Sequence, residues 1–250
     1  MNGIEETNMS QRNSKSERSE KRETSYINMG IIRRTEGIFP EETRLIRAST
    51  NLMRRMTRVS KDAVKEFSKK RDLQAIMNLF ARNRELVHFS MVCLMNGGYA
   101  PTKILSRVAL ENTLCIRLFN KKPELAKEWF TNPEEFRKEW TPQKIRDELF
   151  TKGSSLWNSY NKFYWKLCDY SHPSFKGWSE LVYDKSILWH PVFNEDYASE
   201  CIGLSFFIIV QSLQQFAEAF KRWFTPKLNK EVHNIGLQGS QMIRRHFQVK

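Results

Sequence analysis

The stretch from Glu195 to Phe224, EDYASECIGLSFFIIVQSLQQFAEAFKRWF, decides the fold class. Its centre, Cys201 to Val210, is an apolar run of ten residues, whereas a membrane span needs about twenty. Thr225-Pro226 follows and ends the segment, because a residue before proline avoids the α region. The stretch therefore predicts a long helix in the core of a soluble protein that does not enter a membrane.

The chain on either side of this stretch also predicts helices. The whole sequence has only 10 glycines and 8 prolines, fewer than the turns of an all-β protein usually require. Helix boundaries are indicated at Pro40, at Asn96-Gly97-Gly98, at Pro101, Pro123 and Pro142, and at His172-Pro173. We predict an all-α fold, a helical bundle with long antiparallel helices and one small irregular or hairpin insertion near residues 174–194.

Composition divides the chain into three regions. Residues 1–36 are polar and lack apolar periodicity, which predicts a flexible tail. Residues 37–225 form the predicted helical domain. Residues 226–250 are predicted to be a basic extension, irregular apart from one short helix at Gln241–Gln248.

The four cysteines and the first residues indicate a cytoplasmic protein. No two cysteines are close enough for a metal or redox pair, which favours reduced, buried thiols in a reducing compartment. Charges interrupt every window before Ser25, so no signal peptide is expected.

Net charge is the strongest functional signal. The chain carries +13, with an isoelectric point near 9.7. Residues 25–72 hold twelve Lys/Arg against six Asp/Glu. Such an excess favours a nucleic acid partner, although a solvated basic helix would show the same excess. The candidate phosphate contacts are Arg44, Arg47, Arg54, Arg55 and Arg58.

Helical periodicity places several polar side chains on apolar arcs. Arg84 falls within the apolar stripe of the helix predicted to end at Met95, and His88 falls at its edge. Glu111 and Asn112 fall within the arc of the next helix, with Arg107 just outside. Because buried charges are usually paired, we expect Arg84 or Arg107 to pair with Glu111. Two interpretations stay open, a structural ion pair and a functional pocket.

His172 is the candidate acid/base group. It ends a predicted helix, whose C-terminus stabilises imidazolium, and histidine titrates near neutrality. A histidine that only caps the helix carbonyls fits the position equally well. Asp169 and His172 together supply two ligands, too few for a metal site, and no phosphate-binding or cofactor motif is present. We expect no metal and no cofactor.

Two short motifs resemble known families. The strings SRVALEN at 106–112 and YSHPS at 170–174 resemble a bacterial helical family called domain of unknown function 5677, over roughly residues 70–220. More distantly, Lys166 and His172 resemble the active-site pair of HEPN domains, in which an arginine precedes a histidine by a similar spacing. Lysine here replaces that arginine and lacks its planar bidentate grip on phosphate.

The HEPN resemblance implies an RNA-directed protein that functions as a homodimer. In its catalytic form it would be a metal-independent endoribonuclease of bacterial stress or phage defence, with His172, Lys166, Glu111 and Arg107 at the site. The alternative is a non-enzymatic helical module that binds nucleic acid or a partner protein through its basic surface.

Overall fold

A computed structural model describes residues 28–66, 70–171, 182–183, 186–187 and 192–247. Its helices are α1 Met29–Ile38, α2 Pro40–Glu66, α3 Arg71–Met95, α4 Tyr99–Lys121, α5 Glu124–Thr131, α6 Pro133–Glu139, α7 Pro142–Leu149, α8 Ser155–Ser171, α9 Glu195–Phe220 and α10 Pro226–Phe247. A short 3-10 turn, Lys221–Trp223, joins α9 to α10. The predicted all-α bundle is confirmed.

The insertion contains a minimal hairpin. Strands β1 (Val182–Tyr183) and β2 (Ser186–Ile187) pair antiparallel, with Val182 opposite Ile187. The rest of residues 174–194, up to Pro191, lies outside the described part of the chain.

Helix α9 is the centre of the bundle. Every residue from Cys201 to Val210 is buried, and the helix packs against α2, α3, α4 and α10. Among the described residues one segment, Glu195–Trp223, is long and apolar enough to cross a membrane, but 72% of its apolar window is buried within the bundle. Its apolar surface is therefore used by the core, as predicted.

Local sequence explains the helix ends. Gly97 has φ of 77°, a left-handed conformation that glycine adopts without steric cost, and it follows the last turn of α3. Asn194 accepts a hydrogen bond from the Tyr197 N–H and caps α9. The four cysteines lie in helices and are free thiols, Cys168 and Cys201 buried and Cys93 and Cys115 partly buried.

Both ends of the described chain differ from the prediction. Helix α1 begins within the expected tail, because Asn28 caps it and Ile31 and Thr35 are buried against the bundle. Helix α10 is 22 residues long, where only a short helix at Gln241–Gln248 within an irregular extension was expected. It buries Leu228, Val232, Gly239 and Met242 and packs along α9 and α2.

Candidate functional site

The pair Arg107–Glu111 lies where α4 faces α8. Arg107 Nε donates to Glu111 Oε1 at 3.1 Å, one helical turn along α4. The same guanidinium donates from Nη2 to the Tyr164 hydroxyl of α8 at 3.3 Å. The two charged side chains are 20% and 30% exposed. Of the two arginines expected as partners of Glu111, Arg107 makes the pair, and the pair is half-buried.

Burial raises the pKa values of the neutral groups around this pair. The pKa of Tyr164 rises to about 12, first through burial and then through the nearby Cys168 and the Glu111 carboxylate. The pKa of Cys115 also rises to about 12, through burial and Glu111. Burial raises the pKa of the Cys168 thiol as well. These groups stay protonated at neutral pH, so none of them is an activated nucleophile.

A second charged cluster lies beside the first, one turn earlier on α4. Lys103 is fully buried, and its Nζ lies 3.3 Å from Glu200 Oε2 on α9. Lys166 of α8 holds the other oxygen of the same carboxylate at 2.6 Å. The Lys103 ammonium also lies 3.8 Å from the centre of the Tyr170 ring and 5.1 Å from that of Tyr197. A carboxylate and two aromatic faces thus compensate the buried ammonium.

The two clusters include three of the four residues proposed as catalytic. Arg107 and Glu111 touch directly, and Lys166 reaches α4 through Glu200 and Lys103. His172 lies outside the described residues, so its expected place at one site with Glu111 and Arg107 stays a prediction. Lys103 and Glu200 were not among the predicted site residues. The signal for Lys103 was its position four residues before Arg107, on the same face of α4 as Glu111.

A neutral polar network lies deeper in the bundle, where α3, α4 and α9 meet. Asn83 Nδ2 donates to Thr113 Oγ1 at 2.9 Å and to Ser212 Oγ at 3.1 Å. Asn112 Nδ2 donates to Asn83 Oδ1 at 2.9 Å. All four side chains are buried. Asn112 is therefore in a core network, as expected, but its partner is Asn83.

The expected placement of Arg84 and His88 in that network is wrong. Arg84 pairs with Glu85, its exposed neighbour. His88 is exposed and lines a cavity of about 330 Å³ between α1, α2 and α3. Asn83 and Arg84 differ by one residue, or about 100° of helix rotation, and the apolar stripe alone did not resolve which of them faces the core.

The arginines proposed to bind phosphate all lie on the solvent side of α2. All five are exposed: Arg44, Arg47, Arg54, Arg55 and Arg58. Two of them hold carboxylates, Arg47 that of Glu36 at 2.5 Å and Arg55 that of Glu231 on α10. The exposed face continues through Asn51 and Lys61. We call this surface, residues 44 to 61 of α2, the basic face.

Comparisons with known proteins do not assign this chain to a family. No family model, curated protein or solved structure matches the chain. Within the described part of the chain, no three His, Cys, Asp or Glu side chains form a group that could hold a metal ion.

Proposed function

We propose that this protein is an RNA-directed helical module that binds RNA through the basic face of α2. One observation carries the proposal. Residues 44, 47, 51, 54, 58 and 61 are exposed and recur at alternating spacings of three and four, which keeps them on one side of a helix. Five of these six positions are Arg or Lys. At 1.5 Å per residue the stripe extends for about 26 Å.

The like charges of the basic face repel each other and destabilise the folded protein, and a bound polyanion would relieve this repulsion. Like charges three or four residues apart on a helix repel each other. Arg47 and Arg55 are neutralised by glutamates, and Arg54 is near enough to Glu85 to help lower the pKa of that carboxyl. A phosphate backbone would neutralise the others and would release its condensed counterions.

The salt dependence of binding tests this proposal. We expect a fluorescent single-stranded RNA to bind at low salt, with log K falling by about 0.7 per decade of salt for each phosphate contact. Arg44→Gln with Arg54→Gln should reduce that slope by about 1.4. Lys127→Gln with Lys152→Gln, an equal loss of charge at exposed sites on α5 and before α8, is the control. Absence of binding at low salt, or a flat salt response, would reject the proposal.

The choice of RNA over DNA is a separate part of the proposal. DNA and RNA strands of the same sequence present the same phosphates and differ in the 2′-hydroxyl. Tighter binding of RNA at equal salt is the expected result. Equal binding of both strands would show that the module binds nucleic acid without preferring RNA to DNA.

A metal-independent endoribonuclease is the second candidate. The observation that favours it is the concentration of Lys103, Arg107 and Lys166 beside the last turns of α8, which His172 follows in the chain. In this proposal His172 transfers protons, while Lys166 and Arg107, which hold Glu200 and Glu111, also bind the scissile phosphate. Such an activity would suit bacterial stress or phage defence.

The nuclease proposal has its own test. Total RNA is incubated with the protein in a chelator, beside His172→Ala. Cleavage by the wild type alone is the expected result. Cleavage that survives the substitution would remove His172 from the mechanism. Intact RNA in both reactions would reject the nuclease proposal and leave the RNA-binding module as the proposed function.

A further inference from the structure

We propose that α10 supplies the second wall of the binding site, and that the groove between α2 and α10 takes a single strand rather than a duplex. This inference rests on the proposed function and deepens it. It adds Lys227 and Lys230 of α10 to the arginines of α2, and it names the nucleic acid form that the groove fits.

Two contacts set the register of α10 along α2. Arg55 pairs with Glu231, and Arg245 pairs with Glu41 at 3.3 Å. Between these contacts each helix advances by fourteen residues in opposite directions. The helices are therefore antiparallel and in contact over about 21 Å. This register sets Lys227 opposite the Arg58–Val59 end of α2.

Two chain segments without acidic residues meet at this end. Residues 54–61 contain Arg54, Arg55, Arg58 and Lys61, and residues 221–230 contain Lys221, Arg222, Lys227 and Lys230. All eight side chains are exposed. Glu231 is the carboxylate between them, and its pKa is lowered by Arg55, which hydrogen-bonds to it, and by Lys227. Two further carboxylates touch the same cations, since Glu218 pairs with Lys221 at 2.7 Å and Glu85 lies near Arg54. Three carboxylates do not offset eight cations, so the junction carries a positive excess.

The junction is concave and partly apolar. A cavity of about 270 Å³ is lined by Arg55, Arg58 and Val59 of α2 and by Lys227, Leu228 and Glu231 of α10. Val59 is 37% exposed there. An apolar floor beside guanidinium groups suits an unpaired base, which packs its face on apolar surface or arginine while the cations hold its phosphates.

The apolar floor of the groove favours a strand with unpaired bases. A duplex keeps its bases paired and stacked inside, so no base face is free to pack on Val59. A duplex could only rest on the rim, where it would gain the charge contacts but no contact with Val59. A single strand gains both.

Three variants of the full chain test the inference with a short fluorescent oligouridylate. Lys227→Glu with Lys230→Glu should weaken binding by about tenfold or more, because it replaces two phosphate contacts by repulsion. Val59→Ser should weaken binding of the oligouridylate without changing its salt slope, because an apolar contact releases no counterions. Glu231→Gln should tighten binding, since it frees Arg55. Lys127→Glu with Lys152→Glu is the matched charge-reversal control, and circular dichroism melts identify any variant that does not fold.

The outcomes separate this inference from the proposed function. If the wild-type chain shows no salt-dependent binding, the proposed function itself fails. If the wild type binds but the α10 double variant binds like the control, the basic face acts alone and the second wall is rejected. If an RNA duplex of equal length binds as tightly as the oligouridylate, the assignment to single strands is overturned.

Discussion

The charges on α4, α8 and α9 and those at the α2–α10 junction are arranged in opposite ways. Lys103 is buried and each of its neighbours compensates it, with Glu200 shared by Lys166 and two tyrosine rings alongside. At the junction the cations are exposed and outnumber the carboxylates around them. The protein itself compensates the interior charges, whereas the junction keeps a positive excess. The difference predicts a stabilising role for the first region and supports the proposed binding role of the second.

The largest expected effect tests the interior cluster. Glu200→Ala removes the carboxylate from a fully buried ammonium and should lower the free energy of unfolding by about 3–5 kcal/mol. Urea denaturation measures the loss. Glu148→Ala, which breaks exposed contacts with Lys121 and Lys122, should change little, because solvent screens such pairs. Equal losses in both variants would contradict the contrast between the two regions.

The neutral network gives the next effect. Asn83→Ala leaves the buried hydroxyls of Thr113 and Ser212 without one of their partners, and we expect a loss of about 2–3 kcal/mol. The exposed Asn51→Ala serves as the control and should stay within about 0.5 kcal/mol of the wild type. A small loss at Asn83 would show that the surrounding hydroxyls pair well without it.

Two glycines of α10 provide a matched pair for the docking of that helix. A Cβ at Gly239 would lie 2.5 Å from Val210 Cγ2 of α9, whereas one at Gly236 has nothing within 4 Å. Gly239→Ala should therefore destabilise by about 1–2 kcal/mol through overpacking, and Gly236→Ala should stabilise by about 0.5–1 kcal/mol through helix propensity. Melting temperatures that shift in the same direction would show that α10 is not held closely against α9.

The smallest expected effect is a pH dependence at the far end of α10. His246 contacts Ser199 at 2.7 Å and lies 3.3 Å from Glu42, with Arg245 and Phe39 nearby. Burial lowers its pKa below the usual 6.5, more than the Glu42 carboxylate raises it. The unfolded chain therefore takes up a proton at a higher pH than the folded chain. Stability is full above about pH 6.5 and should fall as the pH drops toward the folded pKa.

The measurement is the free energy of unfolding between pH 7.5 and 5.5 in the wild type and in His246→Asn. The fall with decreasing pH should be present in the wild type and absent in the variant. Stability that rises on acidification would mean that Glu42, not burial, dominates the histidine.

The core could be predicted from sequence where one signal was strong and uninterrupted. The apolar run of α9 is too short to span a membrane, so burial in a helical bundle was the expected outcome. Gly97 and Pro142 mark helix ends through backbone geometry alone. Arg107 and Glu111 could be paired because they lie on one helix, where spacing determines contact. Each of these inferences depends on local geometry.

The errors arose where contact depends on how helices pack. Lys103 was not predicted because a lysine is normally exposed, and its burial depends on Glu200, Tyr170 and Tyr197, which lie far along the chain. The larger part of helix α10 was missed because Gly239 interrupts its apolar stripe, although Gly239 is the small residue at which α10 approaches Val210. Its basic residues made the segment resemble an unstructured extension.

The positions of α2 and α10 in the chain also determine when the groove between them can form. Among the described elements α2 is made before α9, and α10 is made after both. Translation at about 5–20 residues per second therefore leaves α2 and the core helix α9 without α10 for an interval of seconds. A nascent chain in that interval displays the arginines of α2 beside apolar surface that α10 later covers. The groove is thus complete only after α10 has been made, and a ribosome-bound fragment ending before Pro226 would present only the α2 side of it.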